Sequence, residues 1–356
     1  MTSGATGRIL AIMTVVGLLA AACGGSGAST ESQGAPAEGG STASAAGSTD
    51  GGSGGEVLVG LITKTDTNPF FVKMREGAEA AAEEQGAEVQ SFAGEFDGDN
   101  QSQVQAIETL IQAEADGILI TPSDSSAIVP AIQQARDAGI VVIALDTPTE
   151  PEDAVDATFA TDNLRAGELI GEYAAAKFEE SGEEPRIAML DLAEGVSVGV
   201  LRHDGFLAGF GIEEGAEEIV GSEFTAGDQA QGRTAMENLL QRDPEINLVY
   251  TINEPAARGA FEAIEAVGRA DEVMVVSIDG SCPGVEDVQA GRLAATSMQF
   301  PLDMAALGVE AIVNHAQSGE EVPSGFTDTG VQLITDDPVE GLEAQDAAWG
   351  ADNCWG

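Results

Sequence analysis

The 356-residue chain has few basic residues, few aromatic residues and very little histidine or cysteine. It contains 14 Lys and Arg against 61 Asp and Glu, which gives a formal net charge of -47 at pH 7. This acidic excess argues against nucleic acid or an anionic membrane surface as a partner, because both are themselves negatively charged. It also argues against an anionic ligand, unless a local group of arginines overrides the field.

The shortage of histidine limits the catalytic and metal-binding chemistry that the chain can perform. The sequence has only His203 and His315. A G-x-S-x-G pattern at 195–199 lies between a predicted strand and a predicted helix, as in the nucleophile elbow of α/β hydrolases. However, His203 lies too close to this pattern in sequence, and His315 falls late in a predicted helix. We therefore predict no enzyme, no cofactor and no metal site.

The apolar run near the N-terminus is too short to cross a membrane. It extends over residues 9–20, follows Arg8 and ends in small residues before Cys23. This pattern is typical of a bacterial export signal whose cysteine is acylated. We predict a lipoprotein signal peptide at 1–23 with Cys23 as the lipidated residue. Ordinary secretory cleavage nearby is the alternative, because the usual leucine stands one position early.

Residues 24–55 follow as a segment rich in Gly, Ser, Ala and Thr that contains no Lys or Arg. Such a composition predicts a flexible tether with a root-mean-square reach of about 30 Å. Together with the lipidated cysteine it predicts an extracytoplasmic protein, anchored to the outer face of the cell membrane.

Two cysteines remain, Cys282 and Cys354. They stand 72 positions apart, and in an exported protein they most simply form a disulfide. Chain-entropy arguments put the stabilisation from closing such a loop at roughly 4 kcal/mol. The bond would hold the tail at 351–356 beside the loop that follows Asp279. Metal ligation or a free thiol is the alternative, but histidine is too scarce to support a metal site.

From residue 56 onward, short apolar runs alternate with helical patterns, which predicts buried parallel strands joined by helices. About six such units precede Asp279, too many for one sheet of ordinary size. We therefore predict an α/β protein with two doubly wound parallel sheets. The predicted strands are 57–62, 89–92, 117–121, 140–145, 157–161, 186–190, 216–220, 248–252, 273–278, 293–298 and 331–334.

Several predicted strands end in a polar residue. The strand at 140–145 is followed by Asp146, the strand at 273–278 by Asp279, and the next strand by Gln299. Ligands of open α/β sheets bind outside the carboxyl ends of the strands. These side chains are therefore candidate ligand groups, although each aspartate alone could simply form a turn.

The ordered motifs of the chain resemble those of a known family. They are Asn68-Pro69-Phe70-Phe71, Pro122-Ser123-Asp124, Ala144-Leu145-Asp146, the segment 202–206, Ile252-Asn253-Glu254, Ile278-Asp279-Gly280 and the segment 294–299. Between residues 56 and 334 they resemble the ribose-binding type of periplasmic sugar-binding protein, the substrate receptor of a carbohydrate ABC importer. The cysteine pair and the C-terminal tail are most similar to the fructose-binding branch.

The resemblance implies the type I periplasmic binding protein fold, with two α/β lobes joined by a three-segment hinge. The crossings are expected near 161–162, 299–300 and 332. The expected N-terminal lobe is 56–161 plus 300–331, and the expected C-terminal lobe is 162–299 plus 332–356.

The resemblance also implies a set of ligand residues in the cleft between the lobes. Asp146 and Asp279 are expected to accept hydrogen bonds from sugar hydroxyls, and Arg202 to donate. At least one of Phe70 and Phe71 is expected to stack on the sugar, and packing of both on the core is the alternative. The expected amide ligands and additional contacts at the cleft lip are Asn68, Asn253, Gln299, Lys64 and Glu254.

Two local patterns need separate interpretation. The second lobe of the family usually carries an aromatic residue before the helix near Asp228, and this chain has Ala226 and Gly227 there. The resemblance then implies that the sugar is stacked on one side only. The acidic segment at 97–100 suggests a cation loop, but its spacing does not match an EF-hand, so we interpret it as a turn and helix cap.

As a whole, the resemblance implies a monomeric receptor for a monosaccharide, with fructose first and ribose or another pentose or hexose next. Its expected partner is the membrane permease of an ABC importer. A sensor that passes its ligand to a membrane kinase or chemoreceptor is the alternative, and an α/β enzyme is a weaker one.

Overall fold

The computed structural model describes residues 56–356, so the predicted signal peptide, Cys23 and the tether lie outside the described residues. In chain order the strands are β1 (Val57–Thr63), β2 (Ala87–Ala93), β3 (Gly117–Ile120), β4 (Val141–Leu145), β5 (Ala157–Ala160), β6 (Ile187–Asp191), β7 (Ile219–Phe224), β8 (Leu248–Thr251), β9 (Met274–Asp279), β10 (Ala295–Met298), β11 (Gly325–Asp328) and β12 (Gln332–Ile334). The α-helices are α1 (Pro69–Gln85), α2 (Asn100–Gln112), α3 (Val129–Asp137), α4 (Asn163–Ser181), α5 (Ser197–Phe210), α6 (Gln229–Arg242), α7 (Glu254–Ala266), α8 (Cys282–Gln289), α9 (Pro301–Ser318) and α10 (Ala347–Asn353). None of these helices is both long enough and apolar enough to cross a membrane.

The strands form two six-stranded sheets, and each sheet is the centre of one lobe. The order in the first sheet is β11-β5-β4-β3-β1-β2, with all strands parallel. The order in the second sheet is β12-β10-β9-β8-β6-β7, where only β12 runs antiparallel to its neighbour. The prediction of two doubly wound α/β sheets is therefore confirmed.

Local sequence explains where the elements of the first lobe begin and end. All residues of β4 are buried, as expected of a central strand covered by helices on both faces. Helix α1 begins after Asn68, whose Oδ1 accepts a hydrogen bond from Phe70 N–H at 3.0 Å. Pro69 occupies the first turn, and Gly86 ends the helix with a φ of 69°. Asn68 and Pro69 therefore fix the start of α1, and Gly86 fixes its end.

The chain crosses between the lobes three times, after β5, after β10 and after β11. The first and third crossings lie side by side. Asp162 N–H donates to Asp328 Oδ1 at 3.1 Å, and Thr161 Oγ1 donates to Gly330 O at 3.4 Å. Neighbouring hydrogen-bonded crossings can bend together, as a hinge requires.

The two lobes touch each other across the cleft in this structure. Ser125 N–H of the first lobe donates to Gly195 O of the second at 2.9 Å. Ser197 Oγ donates to Pro148 O at 2.7 Å, and Ser125 Oγ donates to Ser197 Oγ at 2.9 Å. The lobes are therefore in a closed arrangement, and the serine of the G-x-S-x-G pattern belongs to a contact between them.

The sequence did not predict β11 or α10, because neither carries an apolar run. Strand β11 is mostly exposed and lies at the edge of the first sheet. Helix α10 packs against α8, and the disulfide between Cys282 and Cys354 joins the end of α10 to the start of α8. The tail is thus attached at the carboxyl ends of the strands of the second sheet.

His203 on α5 joins two carboxylates at the surface of the second lobe. Its Nδ1 lies 2.8 Å from Asp191 Oδ1, and its Nε2 lies 2.8 Å from Glu214 Oε2. The hydrogen bond with Asp191 is the main reason why the pKa of His203 is raised to about 9. Partial burial opposes this rise, and Glu214 adds to it. The charged imidazolium therefore stabilises the fold.

We expect the variant His203→Gln to be less stable than the wild type by about 1–2 kcal/mol near pH 6. Because the pKa is raised from 6.5 to about 9 on folding, this contribution is complete below pH 6.5 and is lost as the pH rises through 9. Urea unfolding near pH 6 and near pH 10 measures the change, with the exposed His315→Gln as control. A stability loss that is equal at both pH values would contradict this role.

Candidate functional site

The first lobe contributes a buried lysine and a buried aspartate, which follow the ends of two strands separated by β3. Lys64 directly follows β1, Asp146 directly follows β4, and their side chains are 2% and 4% exposed. Lys64 Nζ lies 4.0 Å from Asp146 Oδ2 and 6.0 Å from the centre of the Phe71 ring. Lys64 was predicted at the cleft lip, but the structure buries it within this group.

The backbone of Asp146 adopts a conformation that is uncommon for a residue with a side chain. Its φ is 61°, in the left-handed region. The turn is held by Asn163 Nδ2, which donates to Asp146 O at 3.2 Å, and by Thr147 Oγ1, which donates to Asp146 Oδ2 at 2.7 Å. Strained backbone of this kind persists where the surroundings enforce it, often at ligand sites.

Arg202 on α5 extends from the second lobe toward the first. Its Nη2 donates to Gln299 Oε1 at 2.8 Å and lies 3.6 Å from Asp146 Oδ1. Its Nε donates to Asn163 Oδ1 at 2.8 Å, and its Nη1 donates to Ile252 O at 3.1 Å. The sequence analysis missed Asn163, which orients both Asp146 and Arg202 from the first turn of α4.

Asp279 and Gln299 lie together at the carboxyl ends of adjacent strands, as predicted. Gln299 Nε2 donates to Asp279 Oδ1 at 3.0 Å, and the backbone N–H of Glu254 donates to Asp279 Oδ2 at 3.2 Å. Burial raises the pKa of Asp279 well above its usual value, and the nearby carboxylate of Glu254 adds to the rise, while Arg202 opposes it. A buried carboxylate with this environment gains from additional hydrogen-bond donors.

Glu254 does not lie at the cleft lip as predicted, because its carboxylate is buried inside the second lobe. Oε1 accepts from Gly280 N–H at 2.8 Å and from Thr296 Oγ1 at 2.9 Å, and Oε2 accepts from Ser281 N–H at 3.1 Å. Burial raises the pKa of Glu254, and these donors oppose the rise. The geometry assigns Glu254 to holding the loop after β9 and the start of α8.

The two predicted asparagines also serve local structure. Asn253 Oδ1 accepts from Ala256 N–H at 3.1 Å at the start of α7, and its Nδ2 donates to Gly227 O at 3.1 Å. Asn68 caps α1 through its Oδ1, and its half-buried side chain also lines a cavity between the lobes. Asn68 therefore faces the cleft, and Asn253 supports the wall of the second lobe.

The two phenylalanines differ in their surroundings. The ring of Phe70 lies 5.5 Å from the ring of Trp355, while Phe71 is the one close to Lys64. The indole Nε1 of Trp355 donates to Asp279 O at 3.2 Å and to Gln299 O at 2.9 Å. Sequence analysis missed Trp355, although its position next to Cys354 placed it near the Asp279 loop. The tail thus closes one side of the site.

A cavity of about 350 Å³ lies next to this buried group, between the two lobes. Asn68 and Asp97 line it from the first lobe, and Gly227 lines it from the second. Asp97 Oδ1 is completely buried and has no hydrogen-bond partner within the described residues. Burial raises the pKa of Asp97, and the charge of Lys64 opposes the rise. Asp97 is a second residue that the sequence analysis missed.

The segment at 97–100 therefore has two functions rather than the single turn and cap that we predicted. Asp99 is the helix cap, since its Oδ1 accepts from Ser102 N–H at 3.1 Å. Asp97, two residues earlier, directs a carboxylate oxygen into the protein. Sequence spacing alone does not distinguish the two acidic residues, because both precede the same helix.

Comparison with known proteins gives the family of the chain. Residues 59–321 match the family described as "Periplasmic binding protein domain". This protein belongs to the periplasmic binding protein family. The ribose import binding protein of Bacillus subtilis is 32% identical over 263 residues, which cover 74% of this chain and 83% of that protein. The resemblance to the ribose-binding type, predicted from motifs, is confirmed, and the fructose branch stays a prediction.

Other periplasmic binding proteins agree with this assignment. The D-allose-binding periplasmic protein of Escherichia coli is 30% identical over 269 residues, covering 74% of this chain and 86% of that protein. An ABC transporter solute-binding protein of Agrobacterium vitis with bound D-fucose superimposes with a TM-score of 0.73 at 27% identity, covering 84% and 99% of the two chains. A solute-binding protein of Bacillus halodurans with bound myo-inositol gives a TM-score of 0.70 at 26% identity, covering 79% and 95%.

We expect the variant Trp355→Phe to lose about 1–3 kcal/mol of stability, because Gln299 O would lose its indole donor and Asp279 O would keep only the Gln299 N–H, while an aromatic ring stays in place. Urea unfolding measures the loss. The matched control is Trp349→Phe, a half-buried tryptophan of the same tail. Equal effects of the two substitutions would mean that the hydrogen bonds of Trp355 contribute nothing specific.

Proposed function

We propose that this protein is an extracytoplasmic receptor that captures a monosaccharide between its lobes and delivers it to an ABC importer. The observation that carries the proposal is the buried polar group formed by both lobes. Lys64 and Asp146 come from one lobe, Arg202 and Asp279 from the other, and Gln299 lies at a crossing between them.

This chemistry suits a neutral molecule with several hydroxyl groups. Carboxylates accept hydroxyl protons, whereas Arg and Lys donate to hydroxyl oxygens, and charge-assisted hydrogen bonds are the stronger kind. Phe71 offers an apolar surface near Lys64. An anionic ligand would meet Asp97, Asp146 and Asp279 and is therefore disfavoured.

The names of the relatives support the same ligand class. The curated relatives are named for ribose and D-allose, and the compared structures contain D-fucose and myo-inositol, all of which are neutral polyhydroxyl compounds. Ribose and allose therefore come first in a binding test. Fructose, which the cysteine pair and tail favour, is tested beside them.

The cellular setting of the proposal rests on the family and on the N-terminal sequence. Lipidation at Cys23 would attach the receptor to the outer face of the cell membrane, and residues 24–55 would give it reach toward a permease. Closure on the ligand would present both lobes together to that permease. One copy of the chain forms the whole cleft, so a monomer suffices for this function.

We expect at least one neutral monosaccharide to raise the melting temperature of the purified protein by several degrees. A ligand at 100 times its dissociation constant adds about 2.7 kcal/mol of stability. The panel contains ribose, allose, fructose, fucose, galactose, glucose and myo-inositol, with glucuronate and glucose 6-phosphate as anionic controls. No rise with any neutral sugar or polyol would contradict the proposal.

Removal of either acceptor should weaken binding strongly. We expect Asp146→Ala and Asp279→Ala each to lower the affinity for the sugar found in that panel by about 100-fold or more, since each loses charge-assisted hydrogen bonds and leaves Arg202 less compensated. Titration calorimetry measures this. The control is Asp156→Ala, a half-exposed aspartate that pairs with Arg136 at 2.9 Å. Unchanged affinity in the Asp279 variant would mean that the ligand binds elsewhere.

A further inference from the structure

The cavity of about 350 Å³ is lined by Thr65 and Asn68, which follow the buried Lys64 closely in the chain. It lies beyond Asn68, and its walls come from the loop at 95–97 in the first lobe and from Ala226, Gly227 and the start of α6 in the second. Its size falls within the usual range of about 300–1,000 Å³ for small-ligand pockets. It is therefore large enough to hold a chemical group of its own.

The loop at 95–97 is held firmly in place. Asp99 Oδ2 accepts from Glu95 N–H at 3.1 Å, and Asp99 N–H donates to Phe96 O at 3.1 Å. Gly94 N–H donates to Thr63 O at 3.2 Å, and a Cβ at Gly94 would lie 2.6 Å from Lys64 O. The loop therefore packs directly on the end of β1, beside the proposed monosaccharide site.

This loop presents two different groups to the cavity. Phe96 is 58% exposed, although burial of an aromatic ring would be favourable. Asp97 Oδ1, in contrast, is buried without a hydrogen-bond partner within residues 56–356. The exposed face of Phe96 suits the apolar face of a sugar ring, and a turn of the Asp97 side chain toward the cavity would give its unpaired oxygen a hydroxyl donor.

The opposite wall leaves space for such a ring. Ala226 and Gly227 have φ values of 49° and 63°, where bulky side chains are disfavoured. A Cβ at Gly227 would also lie 2.6 Å from Asn253 Nδ2. The second lobe therefore places no aromatic side chain here, and the aromatic surface of the cavity comes from Phe96 of the first lobe.

The charges around the cavity select for a ligand without negative charge. Glu95, Asp97 and Asp228 line it, and the guanidinium of Arg258 is already paired through Nε with Asp287 Oδ2 at 2.8 Å. A phosphate or carboxylate group would be repelled by these carboxylates. A neutral sugar or glycoside substituent would not.

We propose that this cavity is a second subsite, in which Phe96 and Asp97 bind the second ring or the substituent of a neutral disaccharide or glycoside. The inference rests on the proposed function, because the first ring of that ligand would occupy the site around Asp146, Arg202 and Asp279. The receptor would then select molecules larger than a free monosaccharide.

Titration calorimetry on the purified protein tests the subsite. The probes are ribose, allose, fructose, galactose and glucose, compared with their methyl and phenyl glycosides and with lactose, maltose and sucrose. We expect at least one glycoside or disaccharide to bind about 10-fold more tightly than its parent monosaccharide, as an added aromatic contact and charge-assisted hydrogen bond allow.

Two variants distinguish binding in the cavity from binding at the site around Asp146, Arg202 and Asp279. We expect Phe96→Ala to lower the ratio of glycoside affinity to monosaccharide affinity by about 3- to 10-fold, and Asp97→Asn to lower it by a similar factor. The matched control is Phe224→Ala, which is also 58% exposed but does not line the cavity. It should leave the ratio unchanged.

Three results would contradict the proposal of a second subsite. Monosaccharides could bind while no glycoside or disaccharide binds more tightly, in which case the proposed function stands and the subsite fails. Phe96→Ala could weaken both ligand classes equally, which would make the cavity only an entry route. If none of these sugars or glycosides binds, the proposed function fails as well.

Discussion

The buried guanidinium of Arg202 is the group on which the rest of the site depends. A guanidinium is permanently charged, and its N–H donors point in fixed directions. It therefore needs acceptors placed along those directions. Asn163, Gln299 and the carbonyl of Ile252 provide them, and Asp146 adds the opposite charge at 3.6 Å. Because an uncompensated buried charge strongly destabilises a fold, these acceptors stabilise the protein as well as orient the guanidinium in the proposed site.

The electrostatics of the site differ from those of the whole chain. The chain has a net charge of -47, yet two of its few cations, Lys64 and Arg202, are buried beside Asp146. They lower the cost of burying carboxylates in the cleft, while burial still raises the pKa of Asp279. The cleft is therefore rich in acceptors whose charge is partly compensated, as the proposed binding of a neutral polyhydroxyl ligand requires.

Sequence predicted the groups whose position follows from the sheet. Asp146 and Gln299 follow buried strands and Asp279 is the last residue of one, and strand ends of a parallel sheet lie along one edge. Two doubly wound sheets followed from the number of βα units. Strand β11 could not be predicted, because a mostly exposed edge strand has no apolar pattern. The antiparallel direction of β12 depends on the hinge, which local sequence does not describe.

Side-chain roles were harder to predict than positions, because they depend on which partners tertiary structure brings close. Glu254 follows a strand as Asp279 does, yet its oxygens are filled by Gly280, Ser281 and Thr296. Asp97 and Asp99 precede the same helix, yet only Asp99 caps it.

The closed arrangement has a consequence for affinity. Arg202, Gln299 and Asp279 already bond to one another in this structure, so a sugar hydroxyl gains only the difference between its bonds and those that it replaces. A group that already bonds within the protein therefore gains less from each sugar hydroxyl than a group with an unpaired oxygen. Asp97 has such capacity within the described residues, because its buried oxygen lacks a partner. Ligand selectivity should therefore depend on groups at the lip of the cleft as well as on the central residues, which bond to one another.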